Sequence, residues 1–443
     1  MDPAGLDSIA PAAAALYRRD LAAVAGIEKL RFFPLAVESG HGSTLVEVGG
    51  RELIDLSATW TASGLGHGHP RITAAITKAA MAPGGAGLTA VNPDAVGLAE
   101  DLLALVPGKG ERRVYLGHAG SDSCDVALRA VRYNSARKKI VAFKESYHGG
   151  IGLAMATSGL HVSTGAVTPD ANTVFVDYPN PFRPPANGED ALARTLGQIE
   201  AAFAVGDVGC IMVEPMLADG GMVLPPAGFL KGIEALCQRY EVLFAVDEVK
   251  VGLGRPGLLH AFQLEGVIPD IVCFGKVLGN GLPVSAAVGP AALFDKPKAA
   301  ALLTTVGNPI CAAVGREVLR VLVEEDLANR AARAGERLRA GFRAFNHPRI
   351  GDVRGHGLAN GVELVTDRDS NTPDPDFAAA VIYRAFELGV CVYQVGGNTL
   401  EVTPPLVITD EEIDRSLEIL HQAMEDAAAG KVPAEVLASY RGW

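Results

Sequence analysis

The chain is poor in charge, and most of its charge is negative. Charged residues make up 20% of the 443 residues, with 39 Lys and Arg against 51 Asp and Glu and a formal net charge of −12. A surface of this sign repels the polyphosphate backbone that a nucleic-acid-binding protein must attract. The composition therefore argues against nucleic acid as a partner.

Cysteine is also scarce, and long apolar runs are absent. The six cysteines include no Cys-x-x-Cys pair, which predicts free, buried thiols in a reducing cytoplasm. Asp2 and Asp7 stand where a secretory signal needs positive charge. The charge-poor stretches 149–169 and 277–294 are interrupted by Gly, Pro, Ser and Thr, unlike a membrane span. We expect a soluble protein with no membrane partner.

Apolar residues are abundant, at 49% of the chain, and allow two or three domains with large cores. From about residue 71 to 320, β-rich runs alternate with amphipathic helical stretches, which predicts an α/β domain with a mostly parallel sheet. Two alternating segments flank Gly49-Gly50 and predict a hairpin over 46–56. The other predicted strands are 113–117, 139–143, 173–178, 209–215, 242–248, 271–276, 357–365 and 399–408.

A polar segment, residues 118–125, follows the first strand of the α/β region and opens a helix. Gly120 and Ser121 would place backbone N–H groups and a hydroxyl at the helix N-terminus, which is an arrangement that binds phosphate. A helix cap by Ser121 or Asp122 explains the same residues.

Two more polar residues follow buried strands. Asp247 ends an apolar run, where a carboxylate needs a cationic partner such as a protonated ring nitrogen; pairing with Arg255 or a helix cap is the alternative. Lys276 precedes a glycine-rich loop, and a desolvated lysine there is an amine nucleophile, although most strand-end lysines lie on the surface. A phosphate site, a carboxylate for a pyridinium nitrogen and an aldehyde-trapping lysine together match the needs of pyridoxal phosphate.

The order and spacing of these segments resemble the class III aminotransferase family of pyridoxal-phosphate enzymes over nearly the whole chain. This family has fold type I, so the resemblance implies a large domain with a mostly parallel seven-stranded sheet and a smaller α+β domain. We expect an N-terminal segment over 1–70 that packs with the small domain, a large domain over 71–330 and the small domain over 331–443. The motifs that carry the resemblance are LGHGHP (65–70), GSDS (120–123), SYHGG (146–150), VEP followed by DGG (213–221), DEVKVGLGR (247–255), FGK (274–276), TTVGNP (304–309), RGHGL (354–358) and TPPL (403–406).

The resemblance implies roles for the matching positions. Lys276 is implied to bind the aldehyde of pyridoxal phosphate, and Asp247 to pair with its ring nitrogen. Gly120 and Ser121 are implied to hold the phosphate.

Three further positions complete the implied cofactor site. Tyr147 and Val249 are implied to lie on opposite faces of the cofactor ring. Thr304 is implied to reach the cofactor phosphate of a neighbouring subunit, so we expect a homodimer with active sites at the subunit interface. Cys124 and Asp125 depart from the Asn and Glu of many family members, with an expected effect on local packing.

Other segments resemble the racemases of this family that act on amino-lactams, among them RELIDLSATW (51–60), YPNPFRP (178–184) and YRAFELGVCVY (383–393). The implied reaction interconverts the enantiomers of α-amino-ε-caprolactam or a related amino acid amide by removing and returning the Cα proton. The alternative is an ω-type aminotransferase that moves an amino group from an amine or amino acid to a keto acid.

One position favours an uncharged substrate carbonyl. Many relatives have an arginine three residues before the Pro-Pro pair, whereas this chain has Glu401. A carboxylate facing a substrate carboxylate is unfavourable by on the order of a kcal/mol in a partly dry site, so the sequence predicts a lactam or amide. Glu401 could instead point elsewhere and pair with an arginine.

Racemisation requires acid/base groups on both faces of the substrate carbon. Lys276 is predicted to serve one face and Asp219 the other, with the Tyr147 hydroxyl as the less favoured option. Asp219 could also be only a turn-forming residue beside two glycines. Trp60 is predicted to form a wall of the small-molecule pocket, with a core position at a dimer interface as the alternative.

Overall fold

The computed structural model describes residues 3–81 and 87–440. The chain divides into two compact units, one formed by residues 1–69 and 330–443 and the other by residues 70–329. The helices are α1 Pro11–Ala23, α2 Ala58–Thr61, α3 Pro70–Ala80, α4 Pro93–Leu105, α5 Gly120–Asn134, α6 Gly152–Ala156, α7 Gly159–Ser163, α8 Ala191–Ala204, α9 Phe229–Tyr240, α10 Ala291–Phe294, α11 Pro309–Glu324, α12 Leu327–Phe345, α13 Pro375–Leu388, α14 Asp410–Ala428 and α15 Ala434–Ser439. The strands are β1 Val37–His41, β2 Thr44–Glu47, β3 Glu52–Asp55, β4 Arg112–Gly117, β5 Lys139–Phe143, β6 Thr173–Val176, β7 Val208–Val213, β8 Leu243–Asp247, β9 Ile271–Phe274, β10 Ser285–Pro290, β11 Ile350–His356, β12 Ala359–Leu364, β13 Val390–Cys391, β14 Tyr393–Val395 and β15 Thr399–Val402.

The unit formed by residues 70–329 contains a seven-stranded sheet in the order β4-β10-β9-β8-β7-β5-β6. All its strands are parallel except β10, which pairs antiparallel with both β4 and β9. The predicted mostly parallel seven-stranded sheet is therefore confirmed. Its strands β7 and β9 are buried along their whole length, as expected for a sheet covered by helices.

Helix α5 covers the centre of this sheet with a wide buried face. Cys124, Leu128 and Val131 of α5 pack in one hydrophobic cluster with Ile140 of β5 and Met212 of β7. The Asp122 carboxylate, in the first turn of α5, accepts bonds from the backbone N–H groups of His118 and Ala119, the two residues that precede the helix. These bonds tie the start of the helix to the end of β4.

The unit formed by residues 1–69 and 330–443 contains two four-stranded sheets, in the orders β1-β2-β3-β13 and β11-β12-β15-β14. The predicted hairpin is confirmed: β2 and β3 pair antiparallel, and Gly49 and Gly50 have φ of 111° and 87° in the turn. Strand β15 is shorter than predicted because Pro404 and Pro405 follow it and have no N–H to donate.

Among the elements of this unit that were not predicted, one has an unusual backbone. The α2 segment Ala58–Thr61 is a single turn whose backbone is left-handed, since all four residues have positive φ. Among the described residues, no helix is both long and apolar enough to cross a membrane.

Candidate active site

Most of the predicted site residues come together at the carboxyl ends of the seven-stranded sheet. Gly120 opens α5 after β4, Asp247 is the last residue of β8, and Lys276 follows β9 by two residues. In sheets of this kind ligands bind beyond the carboxyl ends of the strands. The topology thus brings residues distant in sequence to one edge.

Gly120 and Ser121 occupy the first two positions of α5, where backbone N–H groups have no partner within the helix. A Cβ at Gly120 would lie 2.4 Å from Cγ1 of Val249, and one at Gly149 would lie 2.6 Å from the Cα of Ser121. The Ser121 hydroxyl accepts a bond of 3.1 Å from the Gly150 N–H. Both glycines are therefore required for the close approach of this helix end to its neighbours.

Asp247 is buried and is held by three donors. Its Oδ2 lies 2.9 Å from Nδ1 of His148 and 3.5 Å from Sγ of Cys124, while its Oδ1 accepts a bond of 2.9 Å from the Val249 N–H. These bonds orient the carboxylate and compensate its burial. The role of Asp247 towards a ring nitrogen stays a prediction.

Tyr147 lies in the loop that follows β5, and a second buried carboxylate positions its backbone. Glu214 accepts one bond of 2.9 Å from the Tyr147 N–H and another of 2.9 Å from the Ala218 N–H, next to Asp219. Burial raises the pKa of Glu214 to about 7. Burial also raises the pKa of the Tyr147 hydroxyl to about 12, with the Asp219 charge as the second cause.

The backbone at Lys276 is strained. Its φ is +43°, and it begins a single 3₁₀ turn, Lys276–Gly279. A Cβ at the preceding Gly275 would lie 3.0 Å from the Cα of Gly120 and 3.2 Å from Cγ1 of Val249. The lysine backbone is thus placed beside the phosphate and ring positions predicted from the sequence.

Asp219 forms a buried ion pair with Lys250. The two side chains are 2% and 4% exposed, respectively. Burial raises the pKa of the Asp219 carboxyl, but the charges of Lys250 and Lys276 outweigh burial and leave that pKa below its usual value. Asp219 is therefore an ionised carboxylate within the electrostatic range of Lys276, which is more than a turn-forming role requires.

Thr304 lies in the exposed turn that precedes α11. The hydroxyl of its neighbour Thr305 lies 2.7 Å from Nε2 of His118, in the segment that leads into α5. The role of Thr304 towards a second subunit stays a prediction.

The two predicted substrate residues, Trp60 and Glu401, lie in the other unit and share one neighbour. The Trp60 ring is 5.2 Å from the ring of Tyr393, and Tyr393 stands opposite Glu401 in the β14–β15 pair. Glu401 is fully buried, and its Oε1 accepts a bond of 3.1 Å from the Thr403 hydroxyl. Burial, with the Asp55 charge as the next cause, raises the pKa of the Tyr393 hydroxyl.

Sequence reasoning missed four residues of these two clusters: His148, Glu214, Lys250 and Tyr393. His148 and Lys250 stand inside motifs already noted, next to Tyr147 and Val249. A lysine in an apolar segment three residues after the last residue of β8 was the available signal for Lys250, because a buried amine needs a carboxylate partner.

Comparisons with known proteins agree on one family. The sequence profile described as Aminotransferase class-III matches residues 27–424. The chain is 33% identical to an isoleucine 2-epimerase of Lentilactobacillus buchneri, over 94% of this chain and 95% of that protein. It is 32% identical to an alanine/serine racemase of Pyrococcus horikoshii, over 92% and 89% of the two chains. The crystal structure of the ω-transaminase from Pseudomonas jessenii in complex with PMP is 27% identical, with a TM-score of 0.85 and coverage of 90% of this chain and 93% of that one.

Proposed function

Because the chain belongs to the class III aminotransferase family, we propose that it is a racemase that interconverts the enantiomers of α-amino-ε-caprolactam or a related amino acid amide. Two relatives are named as an epimerase and a racemase, which supports inversion at Cα. The reaction removes one proton from Cα and returns one to the opposite face. It needs no second substrate.

The cofactor of the family is pyridoxal phosphate, and the residues of the site fit it. Asp247 is a buried carboxylate that would hold the ring nitrogen, and the N-terminus of α5 at Gly120 and Ser121 would hold the phosphate. Lys276 would hold the aldehyde, with Tyr147 and Val249 beside the ring. When bound, this cofactor supplies an electron sink that acidifies the substrate Cα–H bond.

One observation supports proton transfer by this chain more than any other: the buried Asp219–Lys250 pair near Lys276. Lys250 keeps Asp219 ionised, so its carboxylate is ready to accept a proton at Cα. The Lys276 amine serves the other face. Each group then returns a proton in the reverse direction, as microscopic reversibility requires.

Tyr147 is less suited to act as the second acid/base. Its pKa of about 12 keeps the hydroxyl protonated at neutral pH, so it can donate a proton but not accept one. The ionised Asp219 accepts one directly. We assign Asp219 as the second acid/base and Tyr147 as a residue beside the cofactor ring.

Glu401 and Trp60 support the proposed substrate class. Glu401 is a buried carboxylate beside an aromatic cluster, and a substrate carboxylate placed there would meet a charge of its own sign. A lactam or amide has a neutral carbonyl and an N–H that can donate to a carboxylate. The Trp60 ring offers an apolar face for a seven-membered ring.

The experiment mixes the holoenzyme with one enantiomer of α-amino-ε-caprolactam and no keto acid. We expect the optical rotation to disappear while the amine concentration stays constant. The matched variant Asp219→Asn should slow Cα deuterium exchange from one enantiomer more than from the other. Strict dependence of turnover on a keto acid would contradict the racemase proposal.

The second candidate is an ω-type aminotransferase, which the likeness to the Pseudomonas jessenii ω-transaminase favours. In that case Glu401 would meet an ammonium group of an amine or diamine donor. Formation of a ketone product that scales with added keto acid distinguishes this reaction from racemisation.

We also propose a homodimer and a cytoplasmic location. The exposure of Thr304 supports the first, because an exposed hydroxyl is available to a neighbouring subunit. The six free thiols support a reducing compartment. Light scattering tests the dimer, with a mass of one chain as the contrary result.

A further inference from the structure

The turn that carries Trp60 has an unusual backbone. Four consecutive residues other than glycine have positive φ: 49° at Ala58, 49° at Thr59, 63° at Trp60 and 63° at Thr61. L-residues enter this region singly, because Cβ crowds the carbonyl oxygen, and a whole left-handed turn is strained. Such a turn persists only where surrounding bonds hold it.

Asp55 provides those bonds. This carboxylate is 0% exposed and ends β3. Its Oδ1 accepts bonds of 3.0 Å from both the N–H and the hydroxyl of Ser57, and its Oδ2 accepts a bond of 3.0 Å from the Thr59 N–H. Nε2 of His67 lies 2.9 Å from the same Oδ2. One side chain therefore binds the backbone both before and inside the turn.

Local bonds close the turn but do not orient it. The Thr61 N–H donates to the Ser57 carbonyl at 2.7 Å, and the Ser63 N–H donates to the Ala58 carbonyl at 2.9 Å. These bonds lie within one segment and would move with it. Asp55 and His67 anchor the turn from outside this segment, because β3 pairs with β2 and β13 and His67 pairs with Gly42. The Thr403 hydroxyl adds a longer bond of 3.5 Å to the Ser57 carbonyl.

The held turn presents Trp60 to an aromatic cluster. Its ring lies 5.8 Å from the Phe32 ring at an interplanar angle of 19°, and 5.2 Å from the Tyr393 ring at 32°. Phe32 and Tyr393 are themselves 5.1 Å apart. A right-handed backbone over the same residues would point the indole in another direction. The left-handed turn therefore determines the position and orientation of the Trp60 ring.

We propose that Asp55 is a positioning residue that holds the left-handed turn and thereby fixes the Trp60 indole as a selectivity wall for cyclic substrates. The inference rests on the proposed function only in taking Trp60 as a substrate contact. Asp55 itself acts through the backbone and touches no reacting atom.

The first test is Asp55→Asn in the Trp443→Phe background, which leaves Trp60 as the sole tryptophan of the holoenzyme. Asparagine has one acceptor oxygen, so the Ser57 or the Thr59 N–H loses its partner. We expect the Trp60 emission to move to longer wavelength and its quenching by acrylamide to increase. An emission spectrum identical to that of the parent would overturn the proposal.

Turnover gives a second readout of the same variant. We expect KM for the lactam to rise about tenfold, as for a displaced aromatic contact, with kcat nearly unchanged. The matched control is Asp374→Asn, which replaces the carboxylate that caps the N-terminus of α13 in the same unit by an amide that can still cap it. The control should change neither KM nor the Trp60 spectrum, and equal effects of both variants would contradict a specific role for Asp55.

A third test reads the backbone directly and does not require Asp55→Asn to fold. Ala58 and Ala331 are both 0% exposed, but Ala58 lies in the left-handed turn and Ala331 lies inside α12. Glycine is relaxed at positive φ and unfavourable in a helix. We expect Ala58→Gly to keep or raise the parent Tm and Ala331→Gly to lower it. An equal fall in Tm for both variants would show that the turn is not held left-handed.

Failure of the proposed function has a different signature. If the lactam is not a substrate, KM cannot be measured, but the Trp60 emission and the Ala58→Gly comparison still report on Asp55. A changed emission of the Asp55→Asn variant, with no lactam turnover by the parent, would support the positioning role and contradict the proposed function. An unchanged emission of the variant, with normal lactam turnover, would contradict the positioning role and support the proposed function.

Discussion

Replacing Lys250 with methionine tests whether the buried pair keeps Asp219 ionised for catalysis. Both side chains are almost wholly buried, at 4% and 2% exposure, so the variant leaves a carboxylate without its closest cation. Breaking a buried pair in this way costs about 3–5 kcal/mol. Because the charge of Lys276 remains, we expect the free energy of unfolding to fall by the lower end of this range, about 3 kcal/mol.

The same change moves the pH dependence in a definite direction. In the parent protein, burial raises the pKa of Asp219 and the two lysine charges lower it further than burial raises it. Without Lys250 the burial effect dominates, so the ionised base forms only at higher pH. We therefore expect the acidic limb of the racemisation rate to move to higher pH in Lys250→Met, with the largest loss of rate at the low end of the pH series and recovery as the pH rises.

The assay follows one lactam enantiomer by chiral chromatography over a pH series, together with urea denaturation of each variant. Lys250→Arg keeps the charge and should retain the parent pH profile. The double variant Lys250→Met with Asp219→Asn has no unpaired charge, so it should be more stable than Lys250→Met alone while remaining slow. A Lys250→Met protein with the parent stability and pH profile would refute the assigned role of the pair.

Glu214, Gly120 and Lys276 each allow a single-residue test of the site. Glu214→Gln leaves one acceptor oxygen for two backbone N–H groups, so kcat should fall about tenfold. In the parent protein, protonation of Glu214 increases below about pH 7, so activity should fall there, and the pH–rate profile of the variant should lack this fall. Gly120→Ala would place a Cβ 2.4 Å from Val249, so the visible absorbance retained after gel filtration should drop, whereas Gly197→Ala, with nothing within 4 Å, should retain it. Lys276→Ala should abolish both the visible absorbance of the bound cofactor and turnover, and a coloured, active variant would contradict the assignment.

The strands whose signal is local could be predicted from the sequence. Residues 139–143 were predicted as a strand and form β5 with the same limits, because Ile, Val, Ala and Phe form a short apolar run with turn residues on both sides. The prediction missed β10, Ser285–Pro290, whose Ser, Ala and Gly have little β preference. That segment becomes a strand because it fills the gap between β4 and β9.

By itself, the sequence determined which residue types follow which strands, and therefore placed Asp247 and Lys276 at the carboxyl edge of a sheet. Only the tertiary structure decided which residues lie beside them. Lys250 stands 31 residues from Asp219, and their pairing exists because adjacent strands β7 and β8 end at the same edge. The left-handed turn at Trp60 contains no glycine, so the local sequence does not predict its positive φ values. Its conformation comes from the Asp55 bonds and not from local preference. Local pattern encodes elements, whereas the partners of buried charges and strained turns depend on contacts that form only when the chain is folded.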